Sequence, residues 1–137
     1  GNVGIGDTTP SYQLELSTDS AAKPTTTTWT ATSDIRTKKL ESIKPYTDGL
    51  SKILLFNPIE FEYNGKAKTP ENEKGIGLNA QDVQLIDPTM VKSGKKKLNP
   101  DDVEGIDVSG VNTHNLFFMM INAIKELNGR ITKLEQV

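Results

Sequence analysis

Six apolar residues near the C-terminus constrain this chain more than any other feature. Phe117, Met120, Ile124, Leu127, Ile131 and Leu134 are spaced three, four, three, four and three apart, the a/d repeat by which one helix offers a seam to another. Arg130 then falls at g and Glu135 at the following e, the placement of an interchain ion pair in a parallel coiled coil. The seam covers nearly three heptads, too few to associate unaided, so the residues ahead of it must contribute. Ile at a with Leu at d favours two strands, whereas Phe117 and Met120 leave the strand count open. Apolar residues continue round the helix at Leu116, Phe118, Met119 and Ile121, so the competing reading is a helix lying on its own domain.

The rest of the chain has little apolar material to help. Only 34% of its 137 residues are hydrophobic, which allows one modest domain and leaves part of the chain unable to bury a face alone. Sixteen basic residues stand against eighteen acidic ones, a net charge of −2, so no global field argues for nucleic acid or an anionic membrane. Protein partners are expected instead. The absence of cysteine excludes disulfides, thiol catalysis and thiolate metal sites. With His114 the single histidine, no metal site and no cofactor are expected. No apolar run approaches the roughly 20 residues of a membrane span, and the N-terminus lacks the apolar core of a signal peptide. Gly1 opens directly into patterned sequence, as a fragment of a longer polypeptide would.

Residues 1–32 read as extended structure. A turn at Asp7 to Pro10 follows Gly4-Ile5-Gly6, and Tyr12, Leu14 and Leu16 then alternate with polar residues. The stretch Lys23 to Thr30 combines strong β-propensity with only Trp29 to bury. Such a strand needs neighbours from other chains, or else is a linker.

From Asp34 the pattern changes. Ile35, Leu40 and Ile43 fit a short helix ended by Pro45, and Thr47-Asp48 reads as the cap of a second helix carrying Leu50, Ile53, Leu54 and Leu55. Beyond Asn57-Pro58, Ile59, Phe61 and Tyr63 alternate with Glu60 and Glu62 as a half-buried strand. Asn64-Gly65 opens a loop or hairpin connection, and Gly75 to Leu78 forms a short strand running into a brief helix from Ala80. Neither Gly-x-Gly pair, at Gly4 or Gly75, has the third glycine or the βαβ setting of a dinucleotide loop; turns or close packing account for both. Lys95-Lys96-Lys97 is nearly cancelled by Asp101-Asp102, as on a solvated hairpin flank.

The chemistry-bearing stretch is Thr32-Ser33-Asp34-Ile35-Arg36-Thr37-Lys38. A serine and a lysine perform acyl chemistry when the amine is neutral enough to take the hydroxyl proton, a state favoured by burial or cationic neighbours such as Arg36 and Lys39. Five positions on a regular helix lie roughly 140° apart and cannot meet, so Ser33 must stand at the helix entrance or find its lysine on another chain. The competing reading is an ordinary helix start, Ser then Asp before an apolar run. A Ser33-His114-Asp triad is the remaining chemical alternative, and His114 is more simply a cap or surface residue.

Four blocks in order carry a family resemblance. Ser33 to Lys38, Asn57-Pro58-Ile59-Glu60-Phe61-Glu62-Tyr63, Gly75-Ile76-Gly77-Leu78-Asn79-Ala80-Gln81-Asp82-Val83, and Ala123-Ile124-Lys125-Glu126-Leu127 ending in Leu134-Glu135 resemble the endosialidase-type intramolecular chaperone. That family is also classed as the S74 self-cleaving peptidases and caps phage tail fibres, tailspikes and neck appendages. Upstream, Asn2 to Gly6 with Pro10 and Leu14-Glu15-Leu16 is similar to the repeat that precedes this domain in fibre stalks.

The resemblance implies an α+β homotrimer: the end of an extended β-stalk over 1–32, a small mixed helix/strand module over 33–115 and a coiled-coil helix over 116–137. It also implies a cut at Thr32–Ser33, with Ser33 the nucleophile and Lys38 the general base. Asp34 and Arg36 fall to orientation and electrostatics, and Gln81 to a supporting role. The implied partners are the chain itself and its upstream stalk, without nucleic acid or membrane. The implied setting is a virion appendage precursor that folds in the bacterial host cytoplasm and loses the released module. Two departures stand out, Asp82 where the block usually has Glu and Lys74 where a histidine often precedes the glycine. They put histidine- or glutamate-assisted detail in doubt and leave serine and lysine untouched. A non-cleaving trimerisation or receptor-binding tip would use the same seam and strands with Ser33 as a cap. A DNA-binding regulator released by such a domain is a further reading, against which the stalk-like repeat at Gly4 argues.

Overall fold

The computed structural model describes residues 1–10, 12–18, 21–25 and 29–137. Part of the Thr-rich stretch expected to be extended, residues 26–28, lies outside them. The chain divides into two compact units, Gly1–Pro45 and Tyr46–Val137.

In the first unit, β1 (Val3–Ile5) and β2 (Leu14–Leu16) pair in parallel, with Val3 opposite Leu14 and Ile5 opposite Leu16. The Asp7 carboxylate accepts the Thr9 N–H at 2.9 Å, which makes the turn expected there. Val3, Ile5 and Leu14 of the pair are all exposed. Beyond it, the helix expected over Ile35–Ile43 is absent. Two 3-10 turns, Ile35–Thr37 and Leu40–Ser42, stand in its place, because Lys38 and Lys39 between them have extended backbone. Ile35, Leu40 and Ile43 are all exposed, so no packing holds a longer helix that is marginal by itself.

In the second unit, α1 (Leu50–Ile53) is followed by the hairpin β3 (Ile59–Asn64) and β4 (Glu71–Gly77), then α2 (Ala80–Ile86), the hairpin β5 (Val91–Lys96) and β6 (Ile106–Val111), and α3 (His114–Glu135). Helix α1 is shorter than its apolar run, and its N-cap is Gly49; Asp48 instead pairs with Lys52. Both hairpins are antiparallel two-stranded ribbons. In the first, Phe61 lies opposite Gly75 and its ring covers that glycine, where a Cβ would come within 2.7 Å of Phe61 Cζ. That accounts for one Gly-x-Gly pair as close packing. Strand β3 is less buried than its alternation suggests, for Ile59 and Tyr63 are exposed and only Phe61 is half-buried. A two-stranded ribbon has no second layer to cover its other side chains.

The core joins Phe56, Val83, Met90 and Met119, flanked by Ile53, Leu78, Ile86, Val91, Val111 and Leu116. Asp87 closes α2 and accepts the N–H and hydroxyl of Thr89, while its other oxygen lies 2.8 Å from Lys52 Nζ. Helix α3 reaches the core through Leu116, Met119 and Ala123. One position on, about 100° round the helix, the whole a/d seam is uncovered, with Ile124 65% and Leu134 75% exposed. The helix therefore packs on its own module by one stripe and leaves the a/d stripe exposed.

Candidate functional site

The residues from Ser33 to Lys38 form a closed local network. Asp34 is the N-cap of the first 3-10 turn, with extended backbone (φ −63°, ψ 135°), and its Oδ1 accepts the Arg36 N–H at 2.8 Å. The same carboxylate grips the guanidinium, Nε at 3.0 Å and Nη2 at 2.7 Å. These bonds to Arg36 hold the Asp34 carboxyl below the usual carboxylate range, and Asp34 in turn raises the guanidinium. The Thr37 hydroxyl and N–H both donate to the Asp34 carbonyl, at 2.7 and 3.0 Å. The Lys38 N–H closes the turn on the Ile35 carbonyl at 3.1 Å.

Lys38 then leaves the helical region (φ −109°, ψ 147°), and its side chain folds back over the turn. Its Nζ donates to the Ser33 carbonyl at 2.8 Å and to Ser33 Oγ at 3.1 Å. A regular helix would have forbidden this contact. The expected helix entrance at Ser33 is thus corrected in one respect, since capping belongs to Asp34 and the Ser33 hydroxyl is left to the lysine. Arg36, with two of its donors committed to Asp34, acts as a brace for the turn. Thr37, which the sequence reading did not single out, braces the same carbonyl; its position three after the capping Asp was the available signal.

Every residue from 29 to 47 is exposed, so water reaches both Ser33 and Lys38. Gln81 belongs to the second unit, in the first turn of α2, where its N–H donates to Asn79 Oδ1 at 2.9 Å. Asp82 in that turn suits the positive end of the helix dipole, and Lys74 faces Glu62 across the β3–β4 ladder. His114 starts α3, its N–H bonded to Asn112 Oδ1 at 2.9 Å and its ring edge-on to Phe118 at 5.1 Å. Among the described residues no three His, Cys, Asp or Glu side chains gather as metal ligands. No helix among them is long and apolar enough to cross a membrane.

The turn thus brings a serine hydroxyl and a lysine amine into contact. Residues 33–92 match the model of the peptidase S74 family, described as the chaperone of endosialidase. This segment, which opens on Ser33 itself, belongs to that family and carries its chaperone domain. No curated protein matches the chain.

Proposed function

We propose that this chain is the C-terminal intramolecular chaperone of a phage fibre or spike, which brings three copies together, sets the register of the upstream β-stalk and then releases itself by one cut at Thr32–Ser33. The observation that carries this reading is the 3.1 Å contact between Lys38 Nζ and Ser33 Oγ, at the first residue of the family-matched segment. The uncovered a/d seam of α3 supports assembly through that helix.

The chemistry is an N-to-O acyl shift. Ser33 Oγ attacks the Thr32 carbonyl carbon as its proton passes to neutral Lys38 Nζ; the Thr32 C–N bond then breaks, and Ser33 nitrogen takes the proton and leaves as an amine. Water next hydrolyses the Thr32 ester, which frees the Thr32 carboxylate and restores the Ser33 hydroxyl. Attack geometry held in place contributes roughly 7–11 kcal/mol, and exclusion of water favours the neutral amine. Both conditions are missing while the pair is exposed, so the cut follows assembly. Before it, the helical end raises the effective concentration of three weakly associating stalk segments. After it, the stalk is trapped kinetically and the module leaves the mature appendage.

The same seam would serve a non-cleaving trimeric tip. A denaturing gel separates the two: the wild type should give pieces of 32 and 105 residues (137 − 32 = 105), whereas Ser33→Ala and Lys38→Ala should stay whole. A wild type that assembles and remains whole leaves only the tip.

A further inference from the structure

The Ser33 turn excludes a helix that its own apolar spacing invites, and Thr37 supplies the means. In an α-helix the Asp34 carbonyl accepts the N–H of Lys38, four positions on. Here it accepts the Thr37 N–H at 3.0 Å and the Thr37 hydroxyl at 2.7 Å, which takes both of its lone pairs. The Lys38 N–H is left to the Ile35 carbonyl at 3.1 Å, and the backbone turns extended at Lys38. The next turn is built the same way. Ser42 directs its N–H and its hydroxyl to the Lys39 carbonyl, at 2.9 and 2.6 Å, the Ile43 N–H closes on the Leu40 carbonyl at 3.2 Å, and Ile43 is extended. Twice in succession, a hydroxyl three positions after a carbonyl fills the acceptor that a growing helix would need, a competition open to Ser and Thr side chains.

We propose that Thr37 is a positioning residue for the cut at Thr32–Ser33: its hydroxyl holds the chain in the turn, and only the turn lets Lys38 reach Ser33. The inference rests on the proposed self-cleavage and adds to it the residue that selects the reactive backbone. Every residue from 29 to 47 is exposed, so local hydrogen bonds rather than packing decide between turn and helix. With residues 33–38 in a regular helix, Ser33 and Lys38 stand roughly 140° apart, and Lys38 Nζ loses both the Ser33 carbonyl at 2.8 Å and Ser33 Oγ at 3.1 Å. The Asp34 cap does not make this choice, because an Asp that accepts the N–H two residues on opens an α-helix equally well. Thr37 bonds to neither Ser33 nor the Lys38 amine; it acts through the backbone between them.

The test uses the full chain. Thr37→Ala removes the hydroxyl and favours helix, whereas Thr37→Ser keeps the hydroxyl. Ser42→Ala makes the same change in the neighbouring turn, which takes no part in the Ser33–Lys38 contact. Sedimentation should find all three variants assembled like the wild type. With cutting blocked by Ser33→Ala, the Cα chemical shifts of residues 34–39 should move toward helical values when Thr37→Ala is added. In chains able to cut, Thr37→Ala should slow cleavage roughly tenfold, with Thr37→Ser and Ser42→Ala within about twofold of the wild type. Four results would each overturn the role of Thr37 while the self-cleavage reading stands: wild-type cutting in Thr37→Ala, Thr37→Ser as slow as Thr37→Ala, an equal loss in Ser42→Ala, or slow cutting with unmoved shifts or failed assembly. A wild type that never cuts overturns both.

Discussion

Ser33 Oγ and Lys38 Nζ meet at 3.1 Å because the backbone turns extended at Lys38, so the lysine reaches back over a turn that a regular helix would have carried past. Lys38→Arg tests what that contact does. Arginine keeps the charge and the reach but does not become neutral in a protein. The variant should assemble like the wild type and remain one band on a denaturing gel. Cutting at the wild-type rate would remove the lysine from the role of base.

The Asp34 carboxylate carries two jobs, the cap on the Arg36 N–H and the grip on its guanidinium. Asp34→Asn retains an acceptor for the N–H and loses the charged pair, while Asp34→Ala loses both. Cleavage should fall in the order wild type, Asn, Ala, measured as single-turnover rates in the assembled protein. Because its carboxyl is held below the usual range, the pair's contribution is present above the ordinary carboxylate pKa of about 3.9 and is lost only as pH falls through the lower native value. From about pH 5 upward the rate should not vary through Asp34.

Met119 and Met120 are neighbours with opposite duties. Met119 is fully buried in the core and Met120, on the seam, is 46% exposed. Met119→Ala should cost the module roughly 2–5 kcal/mol by thermal or denaturant unfolding. Met120→Ala, or more sharply Ile124→Asp, should leave the isolated module's unfolding nearly unchanged and weaken association in sedimentation. If Ile124→Asp assembles normally, the seam is not the contact surface.

Lys52 neutralises a buried carboxylate. Asp87 has 7% of its side chain exposed and lies 2.8 Å from Lys52 Nζ; hydrogen bonds from Lys52 and then Thr89 hold its carboxyl below the usual range, and Asp48 and Asp87 raise Lys52. The lowered carboxyl contributes stability above a pH of about 4 that is lost as pH drops through its native value. The raised amine contributes stability below about 10.4 that is lost as pH climbs through its own. Lys52→Met should therefore cost about 3 kcal/mol near neutrality and move the acid unfolding transition toward higher pH. An unchanged acid transition would mean that Asp87 finds another partner.

What the sequence disclosed follows from which forces are local. The period of α3 and the alternation at Phe61 marked a helix and a strand directly, although the seam residues, Ile59 and Tyr63 are exposed, and the glycines at 75 and 77 fit under the Phe61 ring. The strands of the second hairpin, Val91–Lys96 and Ile106–Val111, went unread: Ile106, Val108 and Val111 keep no strict alternation, and only the charged residues from Lys95 to Asp102 were read, as a hairpin flank. The stretch from Asp34 was misread as helix because Leu40 and Ile43, three apart, match a helical spacing, while Ile35, Leu40 and Ile43 are all exposed and no packing enforces it. The motif residues of the site were visible. The bond from the Asn122 amide to the Tyr46 carbonyl was not, since it crosses 76 positions and Asn122, at heptad position f, looks like solvent-facing decoration.

The exposure of residues 29 to 47 has a consequence for a copy that finds no companions. Nineteen consecutive positions (47 − 29 + 1 = 19), the proposed cutting point among them, are open to any endopeptidase of the cell in which the chain is made. On the proposed assembly, orphan copies would be the disposable ones, and limited proteolysis should cut the unassembled chain within this stretch first.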